Sequence, residues 1–417
     1  MSPVPPDPLP LVAPFTAERY ATPGRLTDLL APPYDVIAQP ERATLADRHQ
    51  HNIVHLILPE GADDRYRAAA ERLRQWRRAG VLVTDPSPAV HVVQQAFTVA
   101  GRELVRTGLI AAVAAEPFDE GRIKPHERTH AGPKQDRLAL MRSTRTMFEA
   151  LLMLTRDSTN ELTQLLAETT GSDAPWAEAT VGDATIRAWR VEGRRGEALA
   201  TAAGRDRLYI ADGHHRYETA VAFRREFPPA TRTLALIACV RDPGLTVFPT
   251  HRVIRGRSLP ADVLRRLEAE RRVHVLASDA SDNGAALALL RAAEAACVVV
   301  LPGGRCYALA RRPDAPAGPL AAFHPAVRGL DVTWTDAYVV AGLRDAADDA
   351  KVEYASEASA AVAEVAHGRA LAGILLKPPA VEDVLAVADA RGFMPPKSTY
   401  FLPKVPSGLV MLPYELP

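Results

Sequence analysis

Apolar positions along the chain fall into short strand-like runs and longer helical periods, and the alternation between them sets the expected fold. Apolar, β-branched-rich stretches at Ala89 to Phe97 and Glu103 to Ala114 read as paired strands. A period near 3.6 carries Tyr66, Ala69, Leu73 and Trp76 through Asp64 to Ala79, the pattern of an amphipathic helix. Ile53 to Leu58 is a short apolar run ending at Pro59-Glu60 and reads as a strand. Leu138 to Leu154 reads as a helix passing into an apolar strand, and Asn160 to Thr169 as a further helix. Strand-like runs follow at Ile186 to Val191, Leu208 to Ile210, Thr233 to Cys239 and Val247 to Pro249.

From Leu259 onward the texture changes to Ala-rich helices, with strands at Cys297 to Leu301 and Cys306 to Leu309. Then come a helix over Trp334 to Leu343, a strand over Val352 to Tyr354, a helix over Glu357 to His367, a strand over Ala372 to Leu376 and a helix over Val381 to Ala390. Arg311-Arg-Pro-Asp-Ala-Pro-Ala-Gly-Pro319 is the best candidate hinge or surface loop, since its prolines and glycine resist regular structure. The class is α/β or α+β. A boundary near Gly256 gives regions 1–255 and 256–417.

The chain has 417 residues, enough for one large or two closely joined α/β domains. Lys plus Arg and Asp plus Glu stand at 50 each, so the formal net charge is zero. That argues against a general nucleic-acid or membrane surface, and any phosphate affinity must be local. Cys239, Cys297 and Cys306 are too sparse for a disulfide framework or a zinc cluster. The proline-rich entry from Met1 to Pro10 lacks the basic and apolar regions of a secretory signal, and no apolar run approaches a membrane span. A cytoplasmic protein is expected.

The most informative stretch is Arg207-Leu-Tyr-Ile-Ala-Asp-Gly-His-His-Arg-Tyr-Glu-Thr-Ala220, in which an apolar strand runs into a polar turn that opens a helix from about Tyr217. A helix N-terminus offers unpaired N–H groups and a partial positive charge. Gly213 allows close backbone approach, Arg216 adds a planar fork of donors, and His214 and His215 can donate hydrogen bonds or a proton. The plainer alternative is that Asp212 caps a helix and the rest is a solvated corner.

Three further constellations carry chemistry. Lys124-Pro-His-Glu-Arg-Thr-His130 contains His126-Glu127-x-x-His130, which on a helix would place two imidazoles on one face with a glutamate as base. Pro125 and Gly132-Pro133 leave such a helix barely two turns. Lys124, Arg128, Lys134 and Arg137 around Glu127 suit a phosphate site better, with Glu127 as a Mg²⁺ ligand or base, unless the run is a salt-bridged surface loop. Met394-Pro-Pro-Lys-Ser-Thr-Tyr-Phe-Leu-Pro-Lys404 is a stiff loop presenting Lys397, Ser398, Thr399 and Lys404 to a carboxylate or phosphate, or equally a rigid structural tail. Pro32-Pro33-Tyr34-Asp35 sets a phenol and a carboxylate on a preset backbone, or is a capped turn, and Glu60 follows an expected strand end as a candidate base.

These motifs carry two resemblances. The string from Asp212 to Ala220 resembles the nucleotide-binding box of the ParB and sulfiredoxin superfamily, and more closely that of its free-serine kinases. The ordered set Pro32-Pro-Tyr-Asp-Val-Ile37, Leu58-Pro-Glu60, Lys124-Pro-His-Glu127 with Lys134 and Arg137, the Asp212 box, Pro249-Thr-His-Arg252 and Met394-Pro-Pro-Lys-Ser-Thr-Tyr-Phe401 with Pro403-Lys404 resembles the family catalogued as domain of unknown function 1015. The resemblances imply a ParB/sulfiredoxin-like nucleotide-binding core over 1–255 and an Ala-rich α/β portion over 256–417 that returns a Lys-Ser-Thr loop to the site.

The implied activity is transfer of a phosphoryl group from ATP or ADP, or from CTP, with Mg²⁺, to the hydroxyl of a small amino-acid-like acceptor such as serine. Gly213, His214, His215 and Arg216, with Lys124, Lys134 and Arg137, would hold the donor. Asp212, Glu60, Glu127 and His215 are candidates for the catalytic groups, and Tyr34, Asp35, Lys397, Ser398, Thr399 and Lys404 for the acceptor site. The rivals are a nucleotide-driven conformational switch closing a homodimer and, least favoured, a zinc hydrolase using His126 and His130. A small molecule is the expected partner.

Overall fold

The computed structural model describes residues 9–61, 64–99, 101–270, 272–280, 283–291, 294–316 and 318–415. The proline-rich entry at 1–8 lies outside the described residues. The chain divides into two units: residues 1–125, 129–246 and 403–417 form the first, and residues 126–128 and 247–402 the second. Among the described residues no helix is long and apolar enough to cross a membrane.

The first unit is built on a mixed sheet. Its path runs Ile123–Lys124, Leu208–Asp212, Leu151–Thr155, Arg232–Cys239, Arg102–Ala114, Ala89–Val99, Ala184–Glu192 and Ala177–Val181, with Val12–Ala13 also pairing Arg102–Ala114. Pairing is antiparallel except where Leu208–Asp212 meets Ile123–Lys124 and where Arg232–Cys239 meets Leu151–Thr155. The strand pair expected from the sequence is the longest pair, in register from His91 opposite Ile110 to Val99 opposite Arg102. Helices Ala131–Thr144 and His214–Glu226 pack against each other, and Arg65–Arg78 packs on the first of them. The 3.6 period of Arg65–Arg78 buries Ala69, Ala70, Leu73 and Trp76.

One element reverses its expectation. Ile53 to Leu58 reads as a strand, but Val54–Ile57 is a helical turn. Buried Asn52 accepts the Val54 N–H through Oδ1 and donates through Nδ2 to the carbonyls of Asp28 and Leu30, which bends the backbone into a turn against the β preference of Ile and Val. The expected helix at Leu138 starts at Ala131, with Pro133 in the first turn, where a missing N–H costs nothing.

The second unit holds a six-stranded antiparallel sheet ordered His274–Ala280, Arg305–Ala310, Cys297–Leu301, Ala372–Leu376, His251–Arg255 and Lys351–Ala355. Two clusters of apolar side chains cover its faces. One draws on Leu267, Trp334, Leu343 and Val387, the other on Ala286, Leu290, Val362 and Val365. The Trp334 to Leu343 helix is present, but its centre, Thr335–Val340, is wound as a π-helix. In the stretch read as a hinge, Gly318 and Pro319 begin a one-turn helix, Gly318–Ala321.

Candidate functional site

The Leu208–Asp212 strand carries buried Leu208, Tyr209 and Ile210 to a break in register: Ile210 faces Met153 but Asp212 faces Leu152. The extra residue re-aims the Asp212 side chain at the strand end. Gly213 follows at φ 94°, the left-handed cap of the helix His214–Glu226. A Cβ there would lie 2.7 Å from Leu151 Cδ2 and 3.0 Å from Arg216 Cζ, so glycine is required by space as well as by φ. The helix therefore starts at His214, three residues before the expected start, and both histidines belong to its first turn, where backbone N–H groups precede any intrahelical acceptor.

Charge is concentrated at this turn. Arg216 is 4% exposed, donates from Nη2 to Asp212 Oδ2 at 2.7 Å and from Nη1 to the Ala150 carbonyl at 2.7 Å, and its Nε has no partner among the described residues. Lys404 Nζ donates to Asp212 Oδ1 at 2.5 Å. Burial works to raise the Asp212 pKa, but the Lys404 ammonium and the Arg216 guanidinium outweigh it and hold the carboxyl well below the usual range. Burial also works against the Arg216 charge, and Asp212, Asp35 and Glu149 outweigh it in turn, raising the pKa.

The Pro-Pro-Tyr-Asp turn lies within electrostatic reach of the same guanidinium. Tyr34 N–H donates to Glu149 Oε1 at 2.9 Å, and the Arg137 guanidinium sits 4.0 Å over the Tyr34 ring. Burial first, and the Asp35 charge second, push the Tyr34 phenol up to about 12. Arg137 also donates to Ile57 O at 2.7 Å and to Asp136, and lies 3.6 Å from Glu149. Ser407 ties the far end of the chain here through Pro32 O and Glu149. Beside Arg137 a polar cavity of about 310 Å³ is lined by Gln39, Arg42, Glu60, Arg65 and Asp136. Glu60 follows a helical turn rather than a strand, is 72% exposed, and pairs with Arg42 Nη1 at 2.5 Å.

Two of the cations expected around Glu127, Lys134 and Arg137, lie on the Ala131–Thr144 helix and pair with other carboxylates. Lys134 Nζ and Thr129 Oγ1 both donate to Glu218 Oε2 at 2.7 Å, and Arg137 is held by Asp136 and Glu149. Lys124 is buried, on a strand running parallel to the Asp212 strand and opposite Tyr209. The His130 N–H donates to His215 Nε2 at 2.9 Å, and the two rings stack 5.9 Å apart. Residues 126–130 are not helical, because the helix waits until Ala131, so the shared helix face that a zinc-protease motif needs does not form. Among the described residues no three His, Cys, Asp or Glu side chains gather as a metal site.

The second unit collects the remaining motifs. His126 Nε2 lies 3.1 Å from Thr399 Oγ1, and the Met394 N–H donates to His126 O at 2.9 Å. Glu127 bears electrostatically on Tyr354, and the Arg128 guanidinium lies 5.2 Å over Phe393. Arg252 forms a two-toothed pair with Asp336 at 2.9 and 3.0 Å and donates to the carbonyls of Thr250 and Lys397. Lys397 is exposed at φ 55°, while Ser398 is buried on Pro395 O at 2.6 Å. Sequence reading missed Glu149, Glu218 and Asp136, the acidic partners of the motif cations. Only their contacts distinguish them from other acidic residues.

The sequence model of a family described as protein of unknown function (DUF1015) matches residues 12–333. The chain belongs to the DUF1015 family. The matched part of this DUF1015 chain contains the Tyr34 and Asp212 turns, while Lys397 and Lys404 lie beyond it. Among solved structures, a conserved hypothetical protein from Pyrococcus furiosus is 15% identical at a TM-score of 0.38, over 72% of this chain and 93% of that one. Free serine kinase in complex with AMP is 14% identical at 0.37, over 70% of this chain and 87% of that one. SbnI with C-terminal truncation from Staphylococcus aureus is 11% identical at 0.36, over 70% and 82%. No curated protein matches the chain.

Proposed function

We propose that the Asp212 turn holds the phosphates of a nucleotide and that the protein transfers a phosphoryl group to the hydroxyl of a small, amino-acid-like acceptor. One observation carries the reading. A glycine-capped helix N-terminus stands beside Asp212, which is shared by two cations, Arg216 and Lys404, and Arg216 Nε is a donor without a partner among the described residues. The resemblance of the box to that of free-serine kinases points the same way.

The residues present fit a magnesium–nucleotide. Gly213, where a Cβ would collide, lets phosphate oxygens approach the first-turn N–H groups of His214 and His215. Asp212, held ionised, is a weak base and serves better to orient Lys404 or to bind Mg²⁺ than to take a proton. The acceptor is assigned to the cavity beside Arg137. There Arg42 and Arg65 would take its carboxylate, and Glu60, the most exposed carboxylate of the lining, would take the hydroxyl proton. The acceptor oxygen would bond to the terminal phosphorus as the bond from that phosphorus to the leaving diphosphate or monophosphate oxygen breaks. Positioning and charge neutralisation suffice for such a transfer.

The test is phosphorus NMR of the protein with Mg²⁺ and ATP, ADP or CTP in turn, with and without free hydroxy amino acids. A new phosphomonoester signal that needs an acceptor, and that Glu60→Gln removes while nucleotide still binds, is the expected result. Binding without transfer to any acceptor would make the protein a nucleotide switch, and no binding would reduce the turn to structure.

A further inference from the structure

The chain re-enters the first unit at Pro403, and the next residue brings its ammonium to Asp212. A buried cross-strand pair holds this stretch. Gln95, on Ala89–Val99, and Arg106, on Arg102–Ala114, face each other in register, at 0% and 1% exposure. Arg106 Nη2 donates to the Pro403 carbonyl at 2.6 Å and to Gln95 Oε1, while Gln95 Nε2 donates to the Lys404 carbonyl at 2.9 Å. A guanidinium has only donors, so Gln95 must turn its oxygen to Arg106, which leaves its NH₂ group for Lys404.

Stability alone gives Arg106 no reason to be there. Removing a guanidinium from water is expensive, and an apolar side chain of similar volume usually serves a core as well or better. Among the described residues no carboxylate hydrogen-bonds it, and its Nε and Nη1 have no partner. Burial lowers its pKa to about 10 against the pull of Asp242 and Asp212, so it is charged at neutral pH. The bonds it makes fix two consecutive backbone carbonyls, one directly and one through Gln95.

We infer that Arg106 is a positioning residue that, through Gln95, clamps the backbone of Pro403 and Lys404 and thereby delivers the Lys404 ammonium to Asp212. Lys404 is the second cation on Asp212, so the clamp decides whether that charge is present beside Arg216. The functional meaning of that charge rests on the proposed nucleotide site, whereas the clamp itself does not.

The experiment reads the two separately. The folded chain and its Arg106→Met variant are acylated with an amine-selective reagent, and the rate at Lys404, 13% exposed, is compared by mass spectrometry with those at Lys351 and Lys377. Affinity for Mg²⁺ with ADP is measured in parallel. Arg106→Met should raise the Lys404 rate several-fold without moving the reference lysines. It should also weaken ADP binding no further when combined with Lys404→Ala than Lys404→Ala does alone. Arg106→Lys, which keeps one donor for Pro403, should restore part of the protection. A folded Arg106→Met protein with Lys404 as slow as in the parent overturns the inference. If Arg106→Met does not fold, Gln95→Met, which frees the Lys404 carbonyl, decides on the same readout. A released Lys404 with ADP affinity unchanged upholds the clamp and removes the nucleotide reading.

Discussion

Arg216 in the first unit and Arg252 in the second are both buried and both paired with an aspartate, yet they are saturated to different degrees. Arg252 meets Asp336 tooth for tooth and spends its other N–H groups on the carbonyls of Thr250, Pro396 and Lys397. One charge meets one charge, and the result is a scaffold beneath the Lys397 loop. Arg216 shares its aspartate with a second cation and keeps Nε without a partner among the described residues. A second cation and an unused donor are what the proposed phosphate site requires. The difference teaches that burial of a motif arginine says little until its bonds are followed.

Substitution of the two arginines should separate them most strongly. Arg252→Met strands Asp336 and should cost about 3–5 kcal/mol in denaturant unfolding, with nucleotide affinity unchanged. Arg216→Met leaves Lys404 to neutralise Asp212 and should cost less, about 1–3 kcal/mol, while abolishing nucleotide binding in calorimetry. Equal effects on both properties would erase the contrast. Gly213→Ala comes next: a left-handed φ and a Cβ pressed on Leu151 should together cost about 3 kcal/mol by the same measurement.

A buried histidine in each unit, His91 and His251, is held neutral. His91 is lowered to about 4 by burial against the pull of Asp85, and His251 is lowered to about 4 by burial and by Arg252. The His251 Nδ1 accepts the Leu376 N–H at 3.1 Å, which places the neutral ring's proton on Nε2. Both folded pKa values lie below the unfolded value of about 6.5, so the unfolded chain binds protons first as pH falls. Stability is full above about pH 6.5 and declines toward pH 4, by about 2–3 kcal/mol for each histidine. His251→Gln and His91→Gln should each flatten their share of the slope in unfolding followed against pH. The smallest effect is expected at Lys397, whose φ of 55° strains a side-chain-bearing residue: Lys397→Gly should gain up to about 1 kcal/mol, and a loss would show that the side chain packs.

The elements with strong periodicity were legible. The Arg65–Arg78 helix buries the face that its spacing marks, and the long hairpin and the Ala372–Leu376 strand form where their apolar runs stand. Val54–Ile57 was not, because a single buried side chain, Asn52, overrides local preference through carbonyls more than 20 residues away. The Asp212 turn could be read as strand, glycine and helix, because that local order needs only adjacent residues. Its partners could not. Lys404 reaches Asp212 across 192 positions and Arg106 reaches Pro403 across 297, and no local pattern encodes such pairings. The His-Glu-x-x-His spacing misled because spacing has meaning only on a helix, and here the helix begins only after the motif has ended.

The most direct test of the nucleotide reading is hydrogen–deuterium exchange by mass spectrometry across residues 208–220, with and without Mg²⁺ and ADP. Slowed exchange at the first-turn amides of His214 to Arg216, lost in Gly213→Ala, is the predicted result. Unchanged exchange there at saturating nucleotide, or protection confined to another segment, would contradict the assignment of the phosphates to this turn.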